Sequence, residues 1–205
     1  MTEPEGTREI EPEERARALW YALVSRLFYA PADRELLDSL RDVGKGPEFE
    51  AAESPFPIAW RSLQQACATI DPEAIREEFE SLFVGVGKAP VTPYTSAYAA
   101  PNAPDRHLLA LRETISEWGL ERRDRVFEAE DHVAALCDAM RWLIEQSASL
   151  EDQRAFFLKF VEPGIGGFCS AISHSPVPVF YARAAVFTGV FLAVEADAFD
   201  MHTAA

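Results

Sequence analysis

Asp131 and His132, with Glu128 and Glu130 just ahead of them, are the residues of this chain best suited to proton or metal chemistry. A carboxylate beside an imidazole orients the ring and raises its basicity, so such a cluster could serve as a general base or supply metal ligands. The spacing argues against both. No second histidine stands at helical spacing, as a His-Glu-x-x-His site requires, and no local nucleophile completes a triad. His107, His174 and His202 are scattered along the chain. The non-catalytic reading has Asp131 cap a helix while His132 packs beside Leu136.

Two other sets invite chemistry. Gly85-Val86-Gly87-Lys88 looks like part of a phosphate-binding loop, but such a loop needs a glycine five positions before its Gly-Lys pair, Ser or Thr after it, and a strand leading in. Leu82 and Ala89 occupy those positions and a helix precedes them, so the reading is rejected. Phe79, Phe83, Pro93, Tyr94 and Tyr98 form an aromatic and proline set suited to an extended peptide, because rings give large contact area at low entropy cost and tyrosine keeps a polar tip. A loop pinned to the core by its own aromatics is the competing reading, and the local sequence leaves both open.

The elements that must position these residues read as helices. Glu13 to Tyr29 places Leu19, Trp20, Leu23, Val24, Leu27 and Phe28 at steps of three and four, and Pro31 stops it. Asp33 caps a second helix carrying Leu36, Leu37 and Leu40, which the Gly44 to Pro47 run ends. A third spans about Ile58 to Thr69 with Trp60, Leu63 and Ala66. Asp71-Pro72 starts a fourth, with Ile75, Phe79, Leu82 and Phe83 on one face, ending near Gly85. From there to Tyr98 the chain is proline-rich and irregular, more often a binding loop than filler in a helical domain.

Beyond the loop, Asn102 to Pro104 cap a helix of Leu108, Leu109, Leu111, Ile115 and Trp118 that Gly119 terminates. A charged turn through Glu121 to Arg125 leads to Glu128-Ala129-Glu130-Asp131-His132 and a helix of Val133, Leu136, Cys137, Met140, Leu143 and Ile144, whose acidic start suits the helix dipole. From Glu151 a helix with Phe156, Phe157 and Phe160 is interrupted at Pro163-Gly164 and resumes towards His174. Val177 to about Phe199 is apolar on nearly all sides and belongs at the centre of the core. The fold class is all-α, a single compact multi-helix domain of about eight to ten helices over residues 13–199. A flexible acidic tail, 1–12, precedes it and a frayed end, 200–205, follows.

The 205 residues carry a net charge of −15 and are 48% hydrophobic, ample for one core. That charge repels nucleic acid and anionic membranes and attracts basic partners. Cys67, Cys137 and Cys169 are odd in number and widely spaced, which excludes a disulfide framework and fits a reduced, cytoplasmic setting. No apolar segment follows a basic start, and no uninterrupted apolar run approaches the ~18 residues of a membrane span. A soluble protein is expected.

Leu82-Phe83-Val84-Gly85, Pro93-Tyr94-Thr95-Ser96-Ala97-Tyr98 and Glu128-Ala129-Glu130-Asp131-His132 together resemble, in order and spacing, the motifs of the TorD/DmsD family of cytoplasmic molybdoenzyme-maturation chaperones. Phe156-Phe157, Phe180-Tyr181 and the last apolar helix are similar to the family pattern as well, so the likeness runs over roughly residues 13–199. Three departures stand out: Ala129 where proline is usual, Leu136 where a glutamate is common, and Thr95 where many members carry an acid. The resemblance implies a TorD-like fold and a system-specific chaperone. Its partners would be the twin-arginine signal peptide and apo catalytic subunit of a molybdenum-cofactor oxidoreductase, held for cofactor insertion before export.

On that reading Phe79, Phe83, Pro93, Tyr94, Ser96, Tyr98, Glu128, Asp131 and His132 bind peptide. No bond is made or broken, no metal or cofactor is needed, and the chain is a monomer or homodimer, with the hinge-like stretch from Gly119 to Ala129 permitting helix exchange. The charge pattern suits the role, since carboxylates complement a guanidinium pair and rings an apolar segment. The alternative is a metal-assisted hydrolase using His132, Asp131 and Glu128. Direct handling of a nucleotide or of the molybdenum cofactor has no phosphate-cradling motif behind it.

Overall fold

The computed structural model of the chain describes residues 10–43, 52–85, 89–120, 128–176 and 178–203. The first nine residues of the acidic tail, the Gly44 to Pro47 stop, Val86 to Lys88, the charged turn with most of the hinge over 121–127, and Val177 lie outside the described residues.

Helix α1 (Pro12–Tyr29) begins with a proline in its first turn and buries Val24, Leu27 and Phe28 of the expected face together with Ala18 and Tyr21, whereas Leu19, expected on that face, is exposed. Asp33 caps α2 (Arg34–Asp42), its Oδ1 accepting the Leu36 N–H at 2.9 Å. Helix α3 (Pro55–Thr69) starts three residues before Ile58, because Pro55 fits a first helical turn as well as it ends a preceding segment. Asp71 caps α4 (Pro72–Phe79) through the Glu73 N–H at 2.8 Å. A short α5 (Ser96–Ala99) follows the loop, then α6 (Pro104–Glu117), α7 (Val133–Glu145), α8 (Leu150–Phe156), α9 (Glu162–Ser173) and α10 (Phe180–Thr203).

Four local expectations need correction. After Phe79 the chain does not continue as α-helix but widens into a π-helical turn, Glu80–Val84, which ends at Gly85 with φ +60°. Helix α6 has no side-chain cap: Asn102 is exposed, Ala103 stands at the N-cap, and Pro104 alone marks the start. Its other end is as expected, with Gly119 at φ +70° and the Gly119 and Leu120 amides closing on Ser116 and Ile115 at 2.9 and 3.1 Å.

Pro163 does not interrupt the helix it sits in. A second π turn, Phe157–Val161, lies just ahead and resets the hydrogen-bond register, so Pro163 falls in the first turn of α9, where a missing amide costs nothing. The result is a continuous rod, Leu150–Ser173, which by length and composition alone is apolar enough to cross a membrane, although it holds no uninterrupted apolar run of that length. Half of that apolar window is buried inside the protein. Finally, α10 is covered on most but not all sides: Phe180, Ala184, Phe187, Phe191 and Phe199 are buried, whereas Val186 and Val194 face outward. It runs on through His202 to Thr203.

Helix α1 lies against α7, while α10 packs on α3 and α9. Two buried carboxylates knit these layers. Glu195 of α10 receives Arg17 Nε and Nη2 at 2.9 and 2.8 Å and the Tyr21 hydroxyl at 3.0 Å, with Gln153 of α8 accepting from the same guanidinium at 3.1 Å. Glu78 of α4 accepts the Phe180 and Tyr181 N–H groups at 3.1 and 2.6 Å, so a side chain from α4 caps α10. That bond fixes the end of α4 from which the loop departs.

Candidate functional site

The loop is fastened to the start of α7 by one antiparallel bridge that sets Tyr94 opposite His132. Thr95 N–H donates to the Asp131 carbonyl at 2.8 Å and Val133 N–H to the Pro93 carbonyl at 2.9 Å. The Thr95 hydroxyl adds a second bond to the Asp131 carbonyl at 2.9 Å. Pro93 loses nothing here, since only its carbonyl is used. Further back, Val91 N–H donates to the Leu82 carbonyl at 3.1 Å, and the Tyr98 hydroxyl donates to the Thr92 carbonyl at 2.9 Å while accepting its N–H at 3.2 Å.

Helix α5 sits against α9 so closely that two positions of α9 tolerate only glycine. A Cβ on Gly164 would lie 2.6 Å from Thr95 Cβ, and one on Gly167 2.5 Å from Tyr98 Cβ. Both are well inside van der Waals contact, so the loop's exit is seated by a Gly-x-x-Gly face rather than by side-chain interdigitation.

The roles of Asp131 and His132 are exchanged relative to the capping expectation. His132 is the cap of α7, its Nδ1 accepting the Ala134 N–H at 3.2 Å. Asp131 turns to the loop instead, its Oδ2 accepting the Ser96 N–H at 3.3 Å at the start of α5. The bridge explains this, because it draws the Asp131 backbone into pairing with Thr95 and leaves His132 as the last residue before helical geometry. Both residues are buried, and the Tyr94 and Tyr29 rings meet the imidazole edge-on at 5.7 and 6.4 Å. With Nδ1 accepting, the proton of the neutral ring sits on Nε2. Burial lowers the His132 pKa, opposed in part by Glu128 and Asp131, so the ring is uncharged at neutral pH.

Tyr94 is exposed and donates its phenol to Glu128 Oε2 at 2.7 Å. That hydrogen bond, with some burial and the negative charge of Glu128 and Asp131, pushes the phenol up to about 12. Glu130 points to α6, taking Arg112 Nε at 2.8 Å. Beside Tyr94 a shallow cleft of about 300 Å³ opens between α5 and α6. Ser96 and Ala97 line one side and Pro104, Asp105 and Leu108 the other, with Tyr94, Ala129 and Asp131 completing it.

Of the residues singled out in the sequence, Pro93, Tyr94, Ser96, Glu128, Asp131 and His132 are thus brought together. Phe79, Phe83 and Tyr98 lie on the inner side of the loop. Phe79 and Phe83 meet at 4.9 Å, Phe83 stacks on Phe168 at 5.7 Å, and both touch Tyr181. They hold the loop from beneath and line none of the cleft. Tyr29, Asp105, Leu108, Gly164 and Gly167 belong to the site and were not assigned to it from the sequence. Only the glycine pair, three apart in an apolar helix, offered a local signal.

Chemically, the site offers hydrogen bonds, rings and negative charge. Among the described residues no group of three His, Cys, Asp or Glu side chains is placed to hold a metal. His132 spends the nitrogen that would act as base on its helix cap, and Glu128 is engaged by a phenol, so the hydrolase reading has no assembled machinery to support it.

Comparison with known proteins adds the lineage. A family model described as nitrate reductase delta subunit matches residues 50–170, a span that includes the loop, the Tyr94–His132 bridge and the glycine seat. The Chaperone protein TorD of Shewanella loihica is 24% identical, over 91% of this chain and 94% of that protein. An uncharacterized protein of Haemophilus influenzae is 29% identical, over 86% of this chain and 93% of that one. With a match over more than half its length and an all-helical fold, the chain belongs to the TorD-like nitrate reductase delta subunit family.

Proposed function

We propose that the protein is a chaperone, not an enzyme, for the maturation of a molybdenum-cofactor oxidoreductase. It binds the twin-arginine signal peptide and the apoprotein of the catalytic subunit in the cytoplasm and holds them until the cofactor is inserted. The family and the TorD relative support the chaperone class. The peptide reading rests on one observation: the Tyr94–His132 bridge sets an exposed ring and the Asp131 carboxylate on a cleft, with the buried neutral imidazole of His132 and the Glu128 carboxylate next to the ring.

An extended leader laid over this ridge meets complementary groups. Tyr29 and Tyr94 present ring surface to its apolar residues, and Glu128 and Asp131 supply the field for its arginines. Pro93 and Ser96 shape the loop, while Phe79, Phe83 and Tyr98 keep it from collapsing. Because His132 remains neutral, it does not repel a basic peptide.

Calorimetric titration with twin-arginine leaders of molybdoenzymes tests the proposal. The expected result is micromolar or tighter binding that weakens at least about tenfold for Arg-Arg→Ala-Ala leaders and for the Asp131→Ala protein, the loss of a charge-assisted contact. Failure of every leader to bind the folded protein would sink it.

A further inference from the structure

Helix α10 carries on its outward side a seam that reads the same in both directions. Its inner side buries Phe191, Glu195 and Phe199. Away from these, Val179 just ahead of the helix, then Arg183, Val186, Val190, Val194, Asp197 and Met201 follow at steps of three or four and so share one narrow face. Val179 and Val186 are each 52% exposed, Val194 47% and Met201 68%. Single exposed apolar residues are ordinary, but four along one face of a core helix make a patch. The two charges in the seam lack opposite partners among the described residues: the Arg183 guanidinium donates only to the Val179 carbonyl at 3.0 Å, and Asp197 makes no ion pair. Gly189 flanks the seam with nothing within 4 Å of where a Cβ would stand, so no described neighbour accounts for a residue that is costly in mid-helix.

We propose that this face docks on the same face of a second copy of the chain, the two α10 helices lying antiparallel about a two-fold axis through Val190. Turned end for end there, Val190 meets itself, Val186 meets Val194, and Val179 meets Met201. Arg183 meets Asp197, and does so twice, because an isologous contact repeats every pair. The match follows from sequence spacing, since the cation and the anion stand seven residues to either side of Val190. A parallel pair in register would set Arg183 against Arg183 and Asp197 against Asp197, so charge selects the antiparallel sense. Gly189 lets the two backbones come close beside the axis. With 24 residues α10 is about 36 Å long. A seam of one helix stands at the low end of specific interfaces, below about 1,200 Å² in total, which makes the dimer a weak one. Each copy also carries a charge of −15, and that repulsion opposes association at low salt.

Sedimentation velocity of the full chain tests this, from about 1 to about 500 μM protein in about 0.3 M salt, where the screening length is roughly 6 Å. The expected result is a monomer–dimer equilibrium with a Kd of roughly 10–100 μM. Arg183→Asp and Asp197→Arg each weaken it at least about tenfold, because each sets like charges together at two places. Both variants keep the fold, since each new charge has the sign that its end of α10 favours, and circular dichroism checks it. Val186→Glu, at an exposed position away from both charges' own sites, weakens the dimer independently by placing a carboxylate against Val194. An equimolar mixture of Arg183→Asp and Asp197→Arg chains associates as the native chain does, because the heterodimer has opposite charges at both pairs. A chain that stays monomeric throughout the range overturns the proposal and leaves the face to a different partner. A dimer indifferent to all three substitutions, as helix exchange elsewhere in the chain would give, overturns it too. So does a mixture no more associated than its two components, which would refute the antiparallel pairing.

Discussion

The Nδ1 atom of His132 caps α7, and that one contact ties the site's protonation to the stability of the fold. Burial lowers the His132 pKa below its ordinary value of 6.5, and burial lowers that of His107 as well, with Asp131 opposing in both. In the unfolded chain both take up protons near 6.5. As pH falls from 6.5 towards the lower folded values, the unfolded state therefore binds more protons, and stability is present above that window and lost on descending through it. Denaturant midpoints measured between pH 7.5 and pH 5 should fall, and fall less steeply in His132→Gln, whose amide keeps a capping oxygen without titrating near neutrality. Parallel pH profiles for the two proteins would show that His132 is not the sensor. Local sequence marks Asp131 as the cap, since aspartate is a favoured N-cap residue and histidine is not, and the outcome is reversed by backbone pairing with Thr95, far away in sequence.

At the scale of elements, the loop is held by a glycine seat on one side and a carboxylate cap on the other. Valine at Gly167 would put its Cβ 2.5 Å from that of Tyr98, so α5 must lift from α9. We expect Gly167→Val to cost about 1–3 kcal/mol, as overpacking does, and to disturb the amides of Ser96 to Ala99 more than those of α3, measurable by denaturation and by amide resonances. A variant with native stability and an unmoved α5 would contradict the seat. Glu78→Ala removes the acceptor of the Phe180 and Tyr181 amides and should cost about 2 kcal/mol in a denaturant titration, the loss of a buried cap. The helices themselves were readable because their apolar residues recur at three and four and two of their starts carry Asp33 or Asp71-Pro72. The two π turns were not, since an inserted residue leaves the composition of a helix unchanged and shifts only its register. For the same reason the aromatic run was read as one surface. Periodicity says that Phe79 and Phe83 share a face, but only packing against Phe28, Phe168 and Tyr181 says that this face looks inward while Tyr94 looks out.

Over the whole molecule the excess of acid over base, −15 in 205 residues, acts on any basic ligand before contact is made. Within the fold the strongest ion pairing is spent internally, with Arg17 bound to Glu195 and Glu14, while Asp105 at the cleft rim and Glu128 beside it carry no guanidinium partner among the described residues. Long-range attraction and local recognition are therefore separable. Raising ionic strength from about 0.05 to about 0.5 M shortens the screening length from roughly 14 to roughly 4 Å, so the field of the whole surface is lost while contacts inside the cleft persist. For a twin-arginine leader this predicts an association rate that falls by about tenfold or more and a dissociation rate that changes by less than about threefold, as read by stopped-flow fluorescence of a labelled peptide. The same peptide with Arg-Arg→Ala-Ala should show the reverse emphasis, with a faster dissociation at every salt concentration. If salt acted mainly on dissociation, the attraction would reside in exposed contacts at the interface, and the distinction between a guiding field and a gripping site would fail for this protein.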